Sequence, residues 1–506
     1  MVIEILAALA SPLVIGLVVT GLFIGNVVGA LPGLTATMTL AVLMPFTYHM
    51  PIETGLIFLG SIYIGSMRGG GITAILINVP GTPADIATTF DGYPMAQKGK
   101  AREALMMSIF GSVMGGIIGT IFLMSACIPL ARVALRFGPS EMFWISILGI
   151  SIMVSISQSS IIKGLISGLF GLMLTTIGVS PLGGETRFTF GIPQLAGGVH
   201  MIAGMIGLYC IPRVIELAQE IRSEKQQVLE VKGGVHSAMW GVIKVWFSSI
   251  GGLVSGLIGS IIGAIPGAGS NIAGLVAYDW MKRLSRNPDN FGKGEIKGVE
   301  ASETANNAVV STSLIPTLAF GIPGSPPAAL MLGAILVQGL LPGRRLFTDY
   351  ALETYTFMGG LMLANILLLP VGMYTSNLLS RVMYIPREVM AVLIGILSVV
   401  GTIAIRGNLF DVYSMGIIGV IMYFAGRVGF SPAPAVLGLV LGRLAETGLT
   451  QSLMISRARD GLLLYFIRRP ITLVVMILTF LSLALPYIQS YYKKRSGTQA
   501  AAKSEE

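Results

Sequence analysis

Two short motifs, each present twice, carry the residue types that could bind ions in this chain. G-A-L-P-G-L-T-A-T runs from Gly29 to Thr37, and G-A-I-P-G-A-G-S-N from Gly263 to Asn271. N-V-P-G-T-P-A runs from Asn78 to Ala84, and G-I-P-G-S-P-P from Gly321 to Pro327. Proline removes a backbone donor and stops a helix, while glycine permits tight turns and close backbone approach. In an apolar segment such a break leaves free N–H groups at one half-helix start and free carbonyls at another half-helix end. Both are costly in lipid unless something polar occupies them. An anion suits the N–H end and Na⁺ suits the carbonyls, so the chemistry these motifs suggest is ion binding.

The P-G-[TS]-P breaks are the candidates for an anionic substrate: Asn78, Pro80, Gly81 and Thr82 in one, Pro323, Gly324 and Ser325 in the other, with the Asn306/Asn307 pair beside them. The G-A-[LI]-P-G breaks are the candidates for a coupling cation: Gly29, Pro32, Gly33, Thr35 and Thr37, then Gly263, Pro266, Gly267, Ser270 and Asn271. Small and hydroxyl residues also let membrane helices pack closely, but four breaks in two matched pairs favour binding. Arg68, in Y-I-G-S-M-R-G-G-G, and Glu303, in V-E-A-S-E-T-A-N-N-A, are charges bounded by apolar sequence. Such a charge is either functional at depth or interfacial with its head in water. Arg68 is a candidate contact for a substrate carboxylate. Asp85 and Asp91 are candidates for a coupling cation, although Asp91, beside Gly92 and Pro94, reads more simply as a turn.

Enzyme signatures are missing from the sequence. It has no G-x-x-x-x-G-K-[ST] for ATP hydrolysis, and G-K-G-E at Gly292 lacks the spacing and the hydroxyl. The three histidines, His49, His200 and His236, are far apart, so no cofactor and no metal beyond a coupling Na⁺ is expected. Cys127 and Cys210 lie in apolar runs and read as small buried hydrophobes.

The elements that position these motifs are membrane helices. Of 506 residues 53% are hydrophobic and only 11% charged, with a mean hydropathy of +0.80, where soluble domains have about 25% charged residues. Uncharged runs recur, among them Ala104 to Ala131, Val245 to Tyr278 and Thr304 to Gly343. Backbone in lipid must satisfy its own hydrogen bonds, and these runs lack the alternation of barrel strands. The expected fold is an all-α polytopic membrane protein with re-entrant or broken helices and about 12 membrane segments of ~20 residues. The N-terminus, M-V-I-E-I-L, lacks the features of a signal peptide, so the first helix is expected to remain. The net charge of +9 comes from basic residues clustered between apolar runs, which is a topology signal and not a nucleic-acid surface.

The motif pairs occur in the same order at similar spacing, which points to duplication. Basic residues reveal its sense. Lys98, Lys100 and Arg102 follow the second motif of the first half, whereas Lys282, Arg283, Arg286, Lys293 and Lys297 fall between the motifs of the second half. Corresponding loops therefore lie on opposite sides, giving two inverted-topology repeats. The expected organisation is a first repeat at 1–220, a polar linker at 221–244, a second repeat at 245–490 and a disordered tail at 491–506. Lys493, Lys494 and Arg495 place that tail in the cytoplasm.

With G-G-G-I-T-A-I-L-I-N-V-P-G-T-P, D-G-Y-P-M-A-Q-K-G-K-A and N-N-A-V-V-S-T-S-L-I-P-T-L-A-F-G-I-P-G-S-P added to the two G-A-[LI]-P-G motifs, the chain resembles the large membrane subunit of the tripartite tricarboxylate transporters, the TctA family. The similarity continues through R-F-T-F-G-I at Arg187 and L-G-L-V-L-G at Leu437. The resemblance implies a secondary transporter of the bacterial inner membrane. It would work with a small TctB-like membrane subunit and a periplasmic TctC-like solute-binding protein, importing organic carboxylates such as citrate on an Na⁺ or H⁺ gradient. One departure is Arg68, where the family more often has an uncharged or aromatic residue. The rival readings are an ion or anion channel, which would conduct without accumulation, and a cation exchanger without a binding protein. An intramembrane enzyme would need a catalytic cluster that the sequence lacks.

Overall fold

The computed structural model describes residues 1–31, 33–134, 137–156, 161–180, 184–219, 231, 234–266, 269–382, 387–457 and 461–484. The whole of the expected tail, 491–506, and half of the expected linker, 221–230 and 232–233, lie outside them. Among the described residues the regular secondary structure is helical apart from one antiparallel pairing of Gly178–Val179 with Thr186–Arg187. Six helices among the described residues are long and apolar enough to cross a membrane: Pro12–Gly29, Ala101–Cys127, Met201–Gln219, Ala351–Ser376, Val389–Arg406 and Leu409–Arg427. Val235–Phe247 and Gly251–Ala264 form a pair bent by 77° that would make a seventh. Five further apolar helices are shorter. The protein is a multi-pass α-helical membrane protein.

The chain divides into two compact units, each made of two separate stretches of sequence: Met1–Leu135 with Tyr209–Val412, and Arg136–Leu208 with Tyr413–Glu506. In the second unit the helices Pro139–Ile156, Ile161–Thr176 and Pro432–Arg457 pack through small residues, with Gly171 against Ala435 and Gly438 against Gly168. Buried Glu141 accepts from Thr472 at 2.6 Å and pairs with Arg469 at 3.1 Å. Phe188 and Phe190 of R-F-T-F-G-I have positive φ and are exposed.

The first unit holds every candidate motif. Among its helices are α1 (Pro12–Gly29), α2 (Ile52–Ile77), α3 (Ile86–Gln97), α4 (Ala101–Ala134), α5 (Gly251–Ala264), α6 (Gly269–Leu284), α7 (Ile296–Thr312), α8 (Pro326–Val337) and α9 (Ala351–Val382). α2 and α7 form its centre. α2 is buried from Thr54 to Leu76, and α7 from Gly298 to Thr312. Helices in lipid associate by close packing of small residues, and both central helices are held that way. Gly21, Gly25 and Gly29 of α1, spaced four apart, abut Ser61, Gly65 and Ser66 of α2. Gly259 and Gly263 of α5 abut Ala305 and Val309 of α7, while Gly115 and Gly119 of α4 abut Thr304 and Ala308 from another side. A helix that ends in a G-A-[LI]-P-G break thus packs on a helix that leads to a P-G-[TS]-P break, in both halves.

Candidate functional site

All four motifs end helices, as their glycines and prolines require. α1 stops at Gly29, and the chain resumes helix at Ala36 with Thr35 as N-cap, its hydroxyl accepting from Met38 N–H at 3.3 Å. α5 stops at Ala264 and α6 begins at Gly269. α2 stops at Asn78, whose φ of 56° is the left-handed conformation that asparagine tolerates at a helix C-terminus. The helix Leu314–Phe320 stops in the same way at Gly321, φ 72°. Thr82 and Ser325 then take the extended conformation of an N-cap, and prolines open the next helical turn in both places.

The breaks gather on α2. Gly29 lies against Ser66, while a side chain at residue 81 would run into the backbone of Gly70 and the carbonyl of Gly29. The Tyr63 hydroxyl is 3.0 Å from Ser325 Oγ and 3.5 Å from Ser313 Oγ. Gly324 abuts Ser313, and Gly263 abuts Thr312 one residue before it. Three breaks therefore meet α2 between Tyr63 and Gly70, and the fourth meets α7 next to the residue that Tyr63 approaches.

Four ionisable side chains are fully buried among them: Arg68, Asp85, Glu300 and Glu303. Arg68 Nη1 donates to Asn26 Oδ1 at 3.0 Å and Nη2 to Ser376 Oγ at 2.7 Å. Both partners are neutral, so no hydrogen-bonded carboxylate cancels its charge; Glu303 acts on it only at longer range. Asp85 Oδ2 accepts from Thr82 N–H and Thr82 O–H, each at 2.8 Å, and Asp85 Oδ1 accepts from Asn306 Nδ2 at 3.0 Å. Glu303 Oε1 accepts from the Thr88 hydroxyl at 2.7 Å and Oε2 from the Ser112 hydroxyl at 3.2 Å. The R-G-G-G turn of α2 makes room for this cluster. Side chains at residues 70 and 71 would collide with the carboxylates of Asp85 and Glu303, whereas at residue 69 one would collide with α1.

The expected anion-binding residues fall into three groups. Thr82 and Ser325 are N-caps whose hydroxyls are already engaged, while Asn78 is an exposed helix terminus next to Pro80. Pro323 and Gly324 are buried in the second turn. Asn306 and Asn307 are adjacent in sequence yet separate in role, since Asn306 fixes Asp85 and Asn307 Nδ2 donates to Ser112 O at 2.8 Å. Of the expected cation-binding residues, Thr35 is a cap, Thr37 is buried, and Gly33, φ 85°, has the Arg213 guanidinium where its side chain would begin. Gly263 packs against α7 and Pro266 is half-buried. Pro32, Gly267 and the side chains of Ser270 and Asn271 lie outside the described residues.

Asp91 is not a turn. It lies within α3, where Oδ1 accepts backbone N–H bonds from Gly292, Gly294 and Glu295 at 2.7–2.9 Å and Oδ2 accepts the Tyr278 hydroxyl at 2.8 Å. It clasps the loop before α7, and Lys98 Nζ donates to Lys293 O in the same loop at 2.6 Å. Sequence reasoning missed Asn26, Tyr63 and Ser376, polar residues in apolar helices whose partners lie far along the chain. Asn26 carried a signal, as the one carboxamide in α1.

A family model for the tripartite tricarboxylate transporter TctA family matches residues 15–437. A protein of Agrobacterium vitis described as "Uncharacterized 52.8 kDa protein in TAR-I ttuC' 3'region" is 34% identical over 477 residues, covering 94% of this chain and 93% of that protein. A second A. vitis protein, "Uncharacterized protein in TAR-II ttuC' 3'region", is 36% identical over 227 residues, which are 45% of this chain and 93% of that protein. No solved structure matches.

Proposed function

The chain belongs to the tripartite tricarboxylate transporter TctA family, and from that premise we propose that it is the large transmembrane subunit of a binding-protein-dependent secondary transporter. It imports an organic carboxylate, a tricarboxylate or a smaller relative, across the bacterial inner membrane on an Na⁺ or H⁺ gradient. A small membrane subunit and a periplasmic solute-binding protein complete the system, and the C-terminal tail is cytoplasmic. Chemistry is not part of this role.

The observation that carries the reading is the gathering of broken helices around α2, beside a buried guanidinium whose hydrogen-bond partners are neutral. Half-helix starts and a cation attract an anion at depth, and broken helices of matched halves are where transporters place their sites. In this reading the substrate carboxylates meet the P-G-[TS]-P turns at Thr82 and Ser325, Arg68 supplies positive potential, and the G-A-[LI]-P-G turns lie beside them.

The halves are inverted repeats contributing about 12 membrane segments in all. Support comes from the Lys98–Lys293 contact. Residue 98 follows the second motif of its half and residue 293 lies between the motifs of the other, yet they touch. Equivalent loops of parallel repeats would not bring those two positions together.

Uptake by proteoliposomes tests the function. With the binding protein and small subunit present, a labelled carboxylate from a di- and tricarboxylate panel should accumulate against its gradient. Accumulation should collapse with an ionophore and persist without ATP. Uptake that follows ATP at constant ion gradients, or that only equilibrates, contradicts the proposal.

A further inference from the structure

The buried charges of the first unit do not balance. Among the described residues Asp85, Asp91, Glu300 and Glu303 are fully buried carboxylates and Arg68 is the one fully buried guanidinium, and Asp91 is already satisfied by three backbone N–H groups and the Tyr278 hydroxyl. Unpaired charge is expensive away from water, so a set that is net negative when ionised must take up a cation. The hydrogen bonds distinguish which carboxylate can do so reversibly.

Asp85 is fixed as an acceptor. Two of its three partners, Thr82 N–H and Asn306 Nδ2–H, can only donate and offer a bound cation no oxygen, and only the Thr82 hydroxyl could turn. The partners of Glu303 are hydroxyls, those of Thr88 and Ser112, with the Ser302 hydroxyl 2.9 Å behind Thr88. Hydroxyls both donate and accept, so they can give hydrogen bonds to the free carboxylate or turn their oxygens toward a bound cation. One turn along α7, Asn307 spends its amide N–H on Ser112 O, and its Oδ1 is a buried acceptor without a partner. The charges acting on Glu303 are those of Arg68 and Asp85.

Glu300 lies one turn from Glu303 in the other direction. Neither of its oxygens has a partner at bonding geometry, although the Gly252 N–H faces it, and Lys297 and Glu295 are the charges that act on it. Ile296, one further turn on, lines a cavity of about 560 Å³ bounded also by Lys100, Arg102, Glu295, Val242 and Val245. The Trp246 ring, next to Val245, closes over Gly252 beside Glu300. Along α7 a carboxylate faced only by the Gly252 N–H thus comes between a residue that lines the cavity and the carboxylate ringed by hydroxyls.

We propose that Glu303 carries the coupling cation, as a bound proton or as Na⁺ among its oxygens, and that Glu300 passes this cation between Glu303 and the cavity at the Lys100 end of α4. This deepens the transport reading and rests on it. It places the cation on α7 and not in the G-A-[LI]-P-G turns.

The test uses the complete complex in proteoliposomes, with pH and Na⁺ gradients imposed separately and carboxylate exchange measured without any gradient. Glu303→Gln should lose uptake driven by whichever cation drives the wild type while exchange persists, and Glu303→Asp should restore the cation dependence. Glu300→Gln should slow cation-driven uptake more than exchange. Cation-driven uptake by Glu303→Gln with the wild-type dependence, or equal slowing of both modes in Glu300→Gln, overturns the proposal. Failure of the wild type to exchange any carboxylate would instead count against the transport function. A second readout does not depend on transport. Infrared difference spectra of the purified protein, recorded across a pH step and an Na⁺ step, should contain a carboxyl band that Glu303→Gln removes. Spectra of that variant identical to the wild type in both steps refute a cation on Glu303.

Discussion

The two P-G-[TS]-P turns have one backbone and two kinds of anchor. Each begins with a left-handed residue, Asn78 or Gly321, and ends with an extended N-cap, Thr82 or Ser325. The first turn is tied by a carboxylate: Thr82 bonds Asp85, and Asn306 from α7 holds Asp85. The second is tied by a hydroxyl: Ser325 meets Tyr63 from α2. Each half therefore steadies the break of the other half. The first turn has an exposed asparagine at its start, whereas residues 321–325 are buried throughout. The backbone is shared, but a charge lies under one turn only.

The two anchors should differ most at Asp85. Asp85→Ala removes the acceptor of three donors, two from Thr82 and one from Asn306. Leaving such buried donors unpaired costs about 1–3 kcal/mol each before relaxation. Thermal unfolding of the detergent-purified protein should show the largest drop in midpoint of any single change at the two turns. At the second turn Tyr63→Phe removes one neutral hydrogen bond while Ser325 keeps its cap to Ala328 N–H. The loss there should be about 1 kcal/mol. Equal destabilisation by the two substitutions would mean that the anchors do not differ as described.

Loss of either turn's hydroxyl should affect substrate affinity more than folding. Thr82→Val and Ser325→Ala keep approximate size and remove one hydroxyl each. If those hydroxyls meet a buried carboxylate of the substrate, each costs about 1–3 kcal/mol of binding. The apparent affinity in uptake assays should fall while the amount inserted in the membrane is unchanged. Wild-type affinity in both variants would make these hydroxyls packing features.

The breaks themselves were legible because Gly and Pro close together in a short motif act locally, and all four motifs end helices. Arg68 and Glu303 also stood out, since a charge in an apolar run is conspicuous in one dimension. What holds them was not legible. Arg68 rests on Asn26 and on Ser376, 42 and 308 residues away, and a lone amide or hydroxyl in an apolar helix reads as a packing residue until its partner is known. Asp91 misled for a related reason. Its neighbours Gly92 and Pro94 favour a turn locally, but α3 continues through both, and the aspartate is spent on a loop 201–204 residues away. The adjacent pair Asn306/Asn307 suggested one role, yet successive helix positions point in different directions, and the two amides serve different partners.

The central claim is that the halves are inverted and meet, each bracing the other. Single cysteines at positions 98 and 293, in a chain otherwise free of reactive thiols, test it most directly in intact cells and in inside-out vesicles. Both should be labelled by an impermeant maleimide only from the cytoplasmic side, and the double variant should be bridged by a short bifunctional reagent, since Lys98 Nζ lies 2.6 Å from Lys293 O. Labelling of the two positions from opposite sides of the membrane would contradict the account.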